Sequence, residues 1–503
     1  MPAPPPDTVF RYHAYPVHCT AFSTDNSLLY AGDEEGWVSI TDMKTKRVVA
    51  HWNAHGAGVL EVADWQGGLV SHGRDNIIHF HEPLNRVSAP IAPTIDPSAI
   101  SSSSKSLIGT TSTYRTLFAS PRIIRSLPVN ALNFCGFDLV PIPTGFELDV
   151  PAMGEMQEEK EKSVQEDGDE RNSGADQGKV MCRWKSVQGL LAVPNLTDSE
   201  TIDIYHIPSF GRLHAAVTSD PGASHPEREG KIRSGLVMSL RLFFRPSPTS
   251  STAFNATPSR PSCTTINTAP ATATLCLVAA FEDGRVEQWI NADWRKRTDP
   301  RMRGIGTSGK VNQGGWRRLW RQKGHNEAIM AMTISPTFDF AYTVSADHQV
   351  VKYDLQATAS SDEPDPEPAK FATKQIGNSA VAVSPDGRVV AVGGWDGSIR
   401  LYSAKTFKSL GTLAYHRQTV HAIAFPHLPR ERGSSDCQDY STVGTAEETS
   451  VIEIVEEDEN STEDEEDGQR NSRGMGKEAM RWMVSAGKDR RLALWQLKDF
   501  SQR

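Results

Sequence analysis

Short runs in which apolar and polar residues alternate recur along the chain and predict β-strands. The clearest example is GGWDGSIRLYS at residues 393–403, where Asp396-Gly397 separates an apolar run from a second, alternating run. Asp-Gly between two such runs is the strongest short-range signal for a β-hairpin. The stretch therefore predicts two antiparallel strands joined by a tight turn.

The same arrangement of small residues, an acidic residue and a partner six positions later occurs in six places. The pairs are Glu35 with Thr41, Asp75 with His81, Asp283 with Trp289, Asp347 with Tyr353, Asp396 with Tyr402 and Asp489 with Trp495. A His and a strand-like run precede several copies, as at His325 and His416. Glu35 and Asp75 lie 40 positions apart, and Asp347 and Asp396 lie 49 apart. The chain is therefore built from a repeat of roughly forty residues.

A unit of this length, with a His near its start and an aromatic after the turn Asp, resembles the WD-repeat family of β-propellers. Strand-like segments within 127–140 and 189–207 predict a degenerate blade in the long gap after Asp75, which raises the number of blades to seven. We predict an all-β fold, a seven-bladed WD-repeat β-propeller that spans 1–503 with long disordered inter-strand insertions. The predicted blades are 12–50, 51–90, 121–210, 211–292, 316–356, 371–409 and 410–500, and residues 8–11 are predicted to close the last blade.

Each blade of this kind is expected to contain a buried polar network. It joins the entry His, a Ser or Thr of the second strand, the turn Asp and the aromatic of the third strand. Blades four, five and seven are predicted to be the most regular, and blades one and three the least. The residues assigned to these structural positions are Asp75, Asp283, Trp289, His325, Asp347, Tyr353, Asp396, Tyr402, Asp489 and Trp495.

Four segments of low hydrophobicity predict disordered insertions, because they are rich in Ser, Thr and Pro or in charge. They are 91–120, 154–178, 246–270 and 430–476. Residues 447–467 hold twelve Asp and Glu and no Lys or Arg, so without them the formal net charge changes from −9 to +3 (53 basic against 62 − 12 = 50 acidic residues). This acidic loop is either a docking segment for a basic partner or a solvated loop.

The remaining composition points to a reducing compartment, the cytosol or the nucleus. The six cysteines are scattered without a Cys-x-x-Cys pair, which argues against a zinc ribbon or a disulfide framework. The N-terminal MPAPPPDT lacks the features of a signal peptide. Apolar runs also stay well short of the roughly 18 residues of a membrane helix.

Motifs of enzymes are missing from the sequence, so neither catalysis nor a cofactor is predicted. We find no Gly-x-Ser-x-Gly elbow, Walker loop or dinucleotide-binding Gly-rich loop. His72, His79 and His81 are candidate metal ligands, since His79 and His81 share one face of a strand. Acidic and Cys partners at ligand spacing are lacking, however, and a structural role is the preferred interpretation.

Three tryptophans are candidate partner contacts. Trp316 and Trp320 lie in a basic segment, 291–323, that is either an outer strand with a solvated loop, a protein-docking loop or a surface for single-stranded nucleic acid. Trp395 is next to the turn Asp396, and the aromatic position of this repeat is held by Tyr402 instead. We therefore predict that Trp395 lies near a rim of the propeller.

Several stretches resemble the fungal ASTRA-associated protein 1 family, itself related to guanine nucleotide-binding protein β-subunit-like proteins. They include residues 13–62, LPVNALNFC at 127–135 and IDIYHIPS at 202–209, in the same order as in that family. The resemblance implies a non-catalytic scaffold subunit of the nuclear ASTRA complex. That complex is associated with chromatin remodelling and with the maturation of phosphatidylinositol-3-kinase-related kinases.

The partners implied are protein subunits of that complex, RuvB-like ATPases and kinase-maturation co-chaperones, with neither a membrane nor direct nucleic-acid contact expected. Two alternatives remain open at this point. One is a WD-repeat adaptor of another assembly, in signalling or ribosome biogenesis. The other is a propeller that binds nucleic acid through 291–323.

Overall fold

The computed structural model forms seven four-stranded antiparallel sheets arranged as a β-propeller, which confirms the predicted fold class. The structure describes residues 4–84, 120–130, 135–143, 145, 146, 148, 187–218, 235–246, 273–296, 315–357, 367–373, 375, 377–428 and 482–497. Apart from residues 120 and 246, the four predicted insertions lie outside the described residues. Within the described ranges, no helix is long and apolar enough to span a membrane.

The strands, in chain order, are β1 (Thr8–Phe10), β2 (Val17–Phe22), β3 (Leu28–Asp33), β4 (Trp37–Asp42), β5 (Arg47–Asn53), β6 (Val59–Trp65), β7 (Gly68–Gly73), β8 (Ile77–His81), β9 (Ile123–Pro128), β10 (Asp138–Pro141), β11 (Gly189–Pro194), β12 (Ile202–Ile207), β13 (Arg212–His214), β14 (Val237–Pro246), β15 (Ala273–Phe281), β16 (Arg285–Asn291), β17 (Arg317–Lys323), β18 (Ile329–Ile334), β19 (Phe340–Ser345), β20 (Gln349–Asp354), β21 (Ala369–Ala372), β22 (Asn378–Val383), β23 (Val389–Gly394), β24 (Ser398–Ser403), β25 (Ser409–Ala414), β26 (Val420–Ala424), β27 (Trp482–Gly487) and β28 (Leu492–Gln496). Sheets 1 to 6 are β2–β5, β6–β9, β10–β13, β14–β17, β18–β21 and β22–β25, and sheet 7 is β26–β28 with β1.

Burial along the strands follows from the stacking of the sheets around the ring. The second strands β3, β7, β11 and β23 are buried at every residue. A strand covered on both faces needs a continuous apolar or small-residue run, as in LLYAGD and VVAVGG. In the outer strands β9 and β25 most residues are exposed or half-buried, and one residue of each strand is buried.

The core consists of seven hydrophobic clusters, and each lies between two neighbouring sheets. Sheets 6 and 7 share a cluster that contains Ile399 and Trp495, and sheets 2 and 3 share one that contains Trp65 and Leu191. The remaining five seams are filled in the same way. The Trp65 ring lies against Gly189, where a Cβ atom would approach it to 2.2 Å. Glycine is therefore required at that contact.

The predicted blade boundaries fall before or within the outer strands of sheets 1 to 6: β9, β13 and β17 lie in the following predicted blade, β5 and β25 are divided, and β21 lies beyond the end of the predicted fifth blade. The two largest differences are at β9 and β17. Ile123–Pro128 is the outer strand of sheet 2 and pairs with β8, although the sequence analysis assigned it to the third blade. Arg317–Lys323 is likewise the outer strand of sheet 4 and pairs with β16, not a part of the fifth blade. In both cases a long insertion precedes the outer strand. Sequence distance alone therefore grouped that strand with the sheet that follows it.

The ring closes where β1 pairs with β28, with Thr8 opposite Leu494 and Phe10 opposite Leu492. Phe10 is 5% exposed and belongs to the cluster between sheets 7 and 1, with Phe22 and Leu29. The N-terminal strand thus completes sheet 7, while the strands after it form sheet 1.

We expect Phe10→Ala to destabilise the whole protein by about 3–5 kcal/mol, because it removes a large buried ring from the closing seam. Thr8→Ala, on the same strand but only half-buried, is the matched control. Chemical denaturation of both variants measures the difference. Equal free energies of unfolding for the two variants would show that closure of the ring contributes little to stability.

Candidate functional site at the turn face

One end of the propeller carries two sets of loops, which together we call the turn face. They are the turns between the second and third strands of each sheet and the connections from an outer strand to the next sheet. The turn centres are all acidic by strand register: Glu35, Asp75, Asp198, Asp283, Asp347, Asp396 and Asp489. An Asp in this position accepts hydrogen bonds from turn amides, as Asp347 Oδ1 does from the Gln349 amide at 3.2 Å.

Sheet 7 contains the full polar network. His416 Nδ1 lies 2.9 Å from Asp489 Oδ1, and His416 Nε2 lies 2.8 Å from Ser485 Oγ. A carboxylate only accepts, so Nδ1 carries the proton and Nε2 accepts from the Ser485 hydroxyl. The Trp495 indole N–H then donates to Ser485 Oγ at 2.9 Å. Every group of this buried chain is satisfied, the condition under which such a network stabilises a fold.

Sheet 5 repeats the histidine bonds of this network, and Tyr353 occupies the position of the Trp without a hydrogen-bond partner for its buried hydroxyl among the described residues. His325 bonds Asp347 Oδ1 at 2.9 Å and Thr343 Oγ1 at 2.8 Å. Burial lowers the pKa of His325 despite the neighbouring Asp347, so its imidazole stays neutral near pH 7. The Tyr353 ring stacks on Trp320 of sheet 4, with ring centroids 5.9 Å apart. The aromatic residue at this position therefore also packs in the hydrophobic cluster between sheets 4 and 5.

In sheet 2, His81 takes the place of the indole. His55 Nδ1 lies 3.0 Å from Asp75 Oδ1 and His55 Nε2 lies 2.9 Å from Ser71 Oγ. Ser71 Oγ also lies 3.1 Å from His81 Nε2, and burial lowers the pKa of His81 to about 4. A neutral His81 can donate from Nε2 to the serine oxygen as an indole would.

Sheet 1 has the same His–Asp–Ser chemistry from other positions: Asp33 lies two residues before the turn centre, and Ser39 lies on the third strand, opposite Ala31, which holds the place of the Ser. His13 bonds Asp33 at 2.8 Å and Ser39 at 2.9 Å, although Glu35 and Thr41 occupy the register positions of the repeat. Thr41 bonds Tyr12 instead, at 2.7 Å. These departures from the repeat positions agree with the prediction that the first blade is among the least regular, although its His–Asp–Ser bonds are present. The equal spacing of 20 residues from His13 to Asp33 and from His55 to Asp75 is the signal that would have located this network.

Sheets 4 and 6 hold their turn Asp with an arginine. Asp283 pairs with Arg285 at 2.5 Å, and Asp396 pairs with Arg400 at 2.6 Å. The Trp289 indole N–H donates to Glu287 Oε2 at 2.9 Å. Trp289 therefore bonds a residue of its own strand and is not part of a network with the turn residue Asp283. The prediction that the fourth blade is among the most regular is wrong for its polar network, which differs from the one in sheet 7. Tyr402 stacks on Phe407 with ring centroids 4.7 Å apart and serves as an apolar group.

Sheet 3 uses an asparagine in place of the His-centred network. Asn195 donates to Asp203 at 2.8 Å, and Asn195 Oδ1 accepts from the amides of Thr197 and Asp198. The sequence analysis found no repeat motif here, because positions equivalent to the Ser and Trp are Pro194 and Ile204.

The candidate histidine ligands do not form one cluster. Both ring nitrogens of the buried His72 lack a hydrogen-bond partner among the described residues, and burial lowers the pKa of His72 to about 3. Ligand atoms of His55, Asp75 and His79 lie within 4.8 Å of one another, but a metal there would compete with the His55–Asp75 hydrogen bond. The arrangement is thus explained by the polar network of sheet 2.

Two of the three candidate contact tryptophans are buried, which corrects that prediction. Trp316 and Trp320 are each 1% exposed. Trp316 belongs to the cluster between sheets 3 and 4, and Trp320 to the cluster between sheets 4 and 5. The mixture of basic and aromatic residues is the alternation of an outer strand, which turns Trp320 inward and leaves Arg317 exposed. These rings are not available to stack on nucleic-acid bases.

Trp395 lies on the turn face and is 41% exposed. Its amide donates to the Gly377 carbonyl at 3.2 Å, and its ring lies over Gly377, where a Cβ atom would come within 2.3 Å of it. The backbone of the loop entering sheet 6 therefore supports one face of the indole and leaves the other side open.

A pair of histidines lies at the inner edge of this face, where β2 and β26 begin. The ring centroids of His18 and His421 are 4.4 Å apart. The pKa of His421 is lowered to about 4, mainly by burial and to a smaller extent by the charges of His18 and Lys488. Both rings are therefore uncharged near pH 7, and the positive charge of this sector comes from its Lys and Arg side chains.

The fold and the turn networks define the class of this protein: it is a WD-repeat β-propeller. The family model described as WD domain, G-beta repeat matches residues 373–403, which contain the inner three strands of sheet 6 in full. Proteins of this class serve as scaffolds for protein interactions, and the turn face offers such a surface.

The chain is similar over most of its length to fungal proteins named ASTRA-associated protein 1. It is 26% identical to that of Aspergillus flavus over 505 residues, covering 99% of this chain and 98% of the relative. The Aspergillus niger relative is 26% identical over 84% of this chain and 81% of its own length. The Schizosaccharomyces pombe relative is 24% identical over 84% of this chain and 94% of its own length. The predicted resemblance to this family is confirmed.

We expect Ser485→Ala to destabilise the protein by roughly 2–4 kcal/mol, since it leaves His416 Nε2 and the Trp495 N–H buried without partners. Thr412→Ala, on the exposed side of β25, is the control and should change the free energy of unfolding little. Urea denaturation compares the two. A loss for Ser485→Ala no larger than that for Thr412→Ala would contradict the proposed network.

Trp395→Ala should leave the fold nearly intact, within about 1 kcal/mol, because the open side of the ring contacts solvent. Trp495→Ala should cost about 3–5 kcal/mol, because it empties a buried site in the seam between sheets 6 and 7. Thermal melting of both variants distinguishes a surface contact from a core group. A large fall in melting temperature for Trp395→Ala would assign this residue to the core.

Proposed function

We propose that this chain is a scaffold subunit of an ASTRA complex and acts in the nucleus by binding other protein subunits. The observation that carries the proposal is the match to the Aspergillus flavus relative over 99% of this chain and 98% of that protein. So complete an overlap includes segments that are not typical of WD repeats, such as 127–135 and 202–209. The likeness therefore extends beyond the shared fold, which by itself would not indicate function.

A subunit of this kind would contribute to chromatin remodelling and to the maturation and stability of phosphatidylinositol-3-kinase-related kinases. Its partners would be the other ASTRA subunits, RuvB-like ATPases and co-chaperones of kinase maturation. The propeller supports a binding role, because the networks of sheets 1, 2, 5 and 7 fix the loops of one face in place. Fixed loops bind a partner with a smaller entropic cost than mobile ones.

Affinity purification of the tagged chain from its own organism tests this proposal directly. After nuclease treatment, we expect mass spectrometry to show enrichment of RuvB-like ATPases and kinase-maturation co-chaperones, and a fluorescent tag to locate the chain in the nucleus. An unrelated seven-bladed propeller with the same tag serves as the control. Enrichment of ribosomal or signalling proteins instead would identify an adaptor of another assembly and contradict the proposal.

A further inference from the structure

Exposed apolar side chains mark the turn face as a surface for binding. Three of the large apolar residues that are exposed in the described ranges lie there: Tyr15 (38%), Leu196 (56%) and Trp395 (41%). Single exposed apolar residues are common on proteins and carry no argument alone. Trp395 and Tyr15, however, lie at the two ends of a continuous row of loops that also carries positive charge.

The row runs from the turn of sheet 6 across sheet 7 to the entry of sheet 1, and neighbouring loops in it touch. A Cβ atom on Gly397 would come within 2.4 Å of the His416 carbonyl, so the Trp395 turn lies against the loop that carries Arg417. The Arg417 amide donates to Asp489 Oδ2 at 3.3 Å. Arg490 Nη1 donates to the Ala14 carbonyl at 3.4 Å, next to Tyr15. We call Trp395, Arg417, Lys488, Arg490 and Tyr15 the basic arc.

The charge of the basic arc is positive and open to solvent. Arg417, Lys488 and Arg490 are all exposed, and within the described part of the chain no ion pair involves them. Of the two carboxylates in their midst, Asp396 forms an ion pair with Arg400 at 2.6 Å, whereas Asp489 is 7% exposed, accepts from the neutral His416 at 2.9 Å and keeps its charge. Three cations therefore face solvent between two exposed aromatic rings.

The described residues of the opposite half of the turn face carry several exposed carboxylates and one exposed lysine, Lys323, at the end of β17. The carboxylates include Asp198 of sheet 3, Glu282 of sheet 4 and Glu327 at the entry of sheet 5. Two exposed carboxylates, Glu34 beside His18 and the turn centre Glu35, lie next to the arc on its sheet 1 side. An acidic ligand would thus be attracted to the sector of sheets 6 and 7 and repelled from sheets 3 to 5. Such a pattern sets the position and orientation of a charged partner.

We propose that the basic arc binds a short acidic peptide segment of a partner protein, with an apolar side chain of that segment placed on the Trp395 ring. Charge complementarity selects the acidic segment, because three exposed cations lie within one row of touching loops. The fixed indole selects the apolar side chain, since Gly377 supports the ring from below and its other side is open. This inference rests on the proposed function as a scaffold and names the face that binds.

Fluorescence anisotropy with the purified full-length chain tests the proposal. The probes are labelled synthetic peptides rich in Asp and Glu, with or without one Leu or Trp at varied positions, and a labelled oligothymidylate as the competing polyanion. We expect the acidic peptides with an apolar residue to bind most tightly, and their affinity to fall with rising salt. The combined variant Arg417→Glu and Lys488→Glu should weaken binding by roughly tenfold or more.

Two controls make the result specific. The variant Lys405→Glu and Lys408→Glu reverses the same number of charges on exposed residues at the opposite end of sheet 6 and should bind the peptides as the unaltered chain does. Trp395→Ala should remove the advantage of peptides that carry an apolar residue over purely acidic ones. Melting temperatures of all variants verify that each one is folded.

Three outcomes would overturn the proposal: no peptide of the set binds, both double variants weaken binding equally, or oligothymidylate binds the arc more tightly than every peptide. Failure of the scaffold function appears separately, as a loss of ASTRA partners in purification from cells. If those partners are recovered with the arc variant as with the unaltered chain, only the assignment of the face is wrong.

Discussion

The structure depends on an acidic side chain at the centre of each tight turn and on what pairs with it. In three sheets the turn carboxylate accepts hydrogen bonds both from the entry histidine and from a backbone amide of the loop that leads into the same sheet. These carboxylates are Asp75, Asp347 and Asp489. That loop comes from the outer strand of the preceding sheet. In these three sheets one carboxylate therefore ties the turn to the connection from the neighbouring sheet, at the end of the hydrophobic seam between the two.

The sequence allowed the prediction of the repeat, the class of fold and five of the seven acidic turn centres as aspartates, because these depend on local spacing. It did not predict the network of sheet 1, since Asp33 lies two residues before the turn centre and Ser39 lies on the third strand instead of the second. It also placed Trp316 and Trp320 on the surface. A pattern of basic and aromatic residues describes both an outer strand and a binding loop, and only the neighbouring sheets decide between them.

The same residue type serves two purposes in this propeller, and its position relative to the turn decides which one. Trp495 lies six residues after a turn Asp, donates its indole N–H to Ser485 and fills a seam. Trp395 precedes a turn Asp and rests on the backbone of Gly377 with one side open. The networks that stabilise the fold thus also hold exposed residues in fixed positions on the turn face, where a partner can bind them.

Cross-linking of the purified native complex with a carbodiimide, which couples lysine amines to Asp and Glu carboxylates as amides, tests the central claim, binding through the turn face, most directly. Lys488 lies in the basic arc, whereas Lys405 and Lys408 are exposed at the opposite end of the neighbouring sheet. The account predicts cross-links from Lys488 to acidic segments of partner subunits. Partner cross-links at Lys405 and Lys408 with none at Lys488 would contradict it.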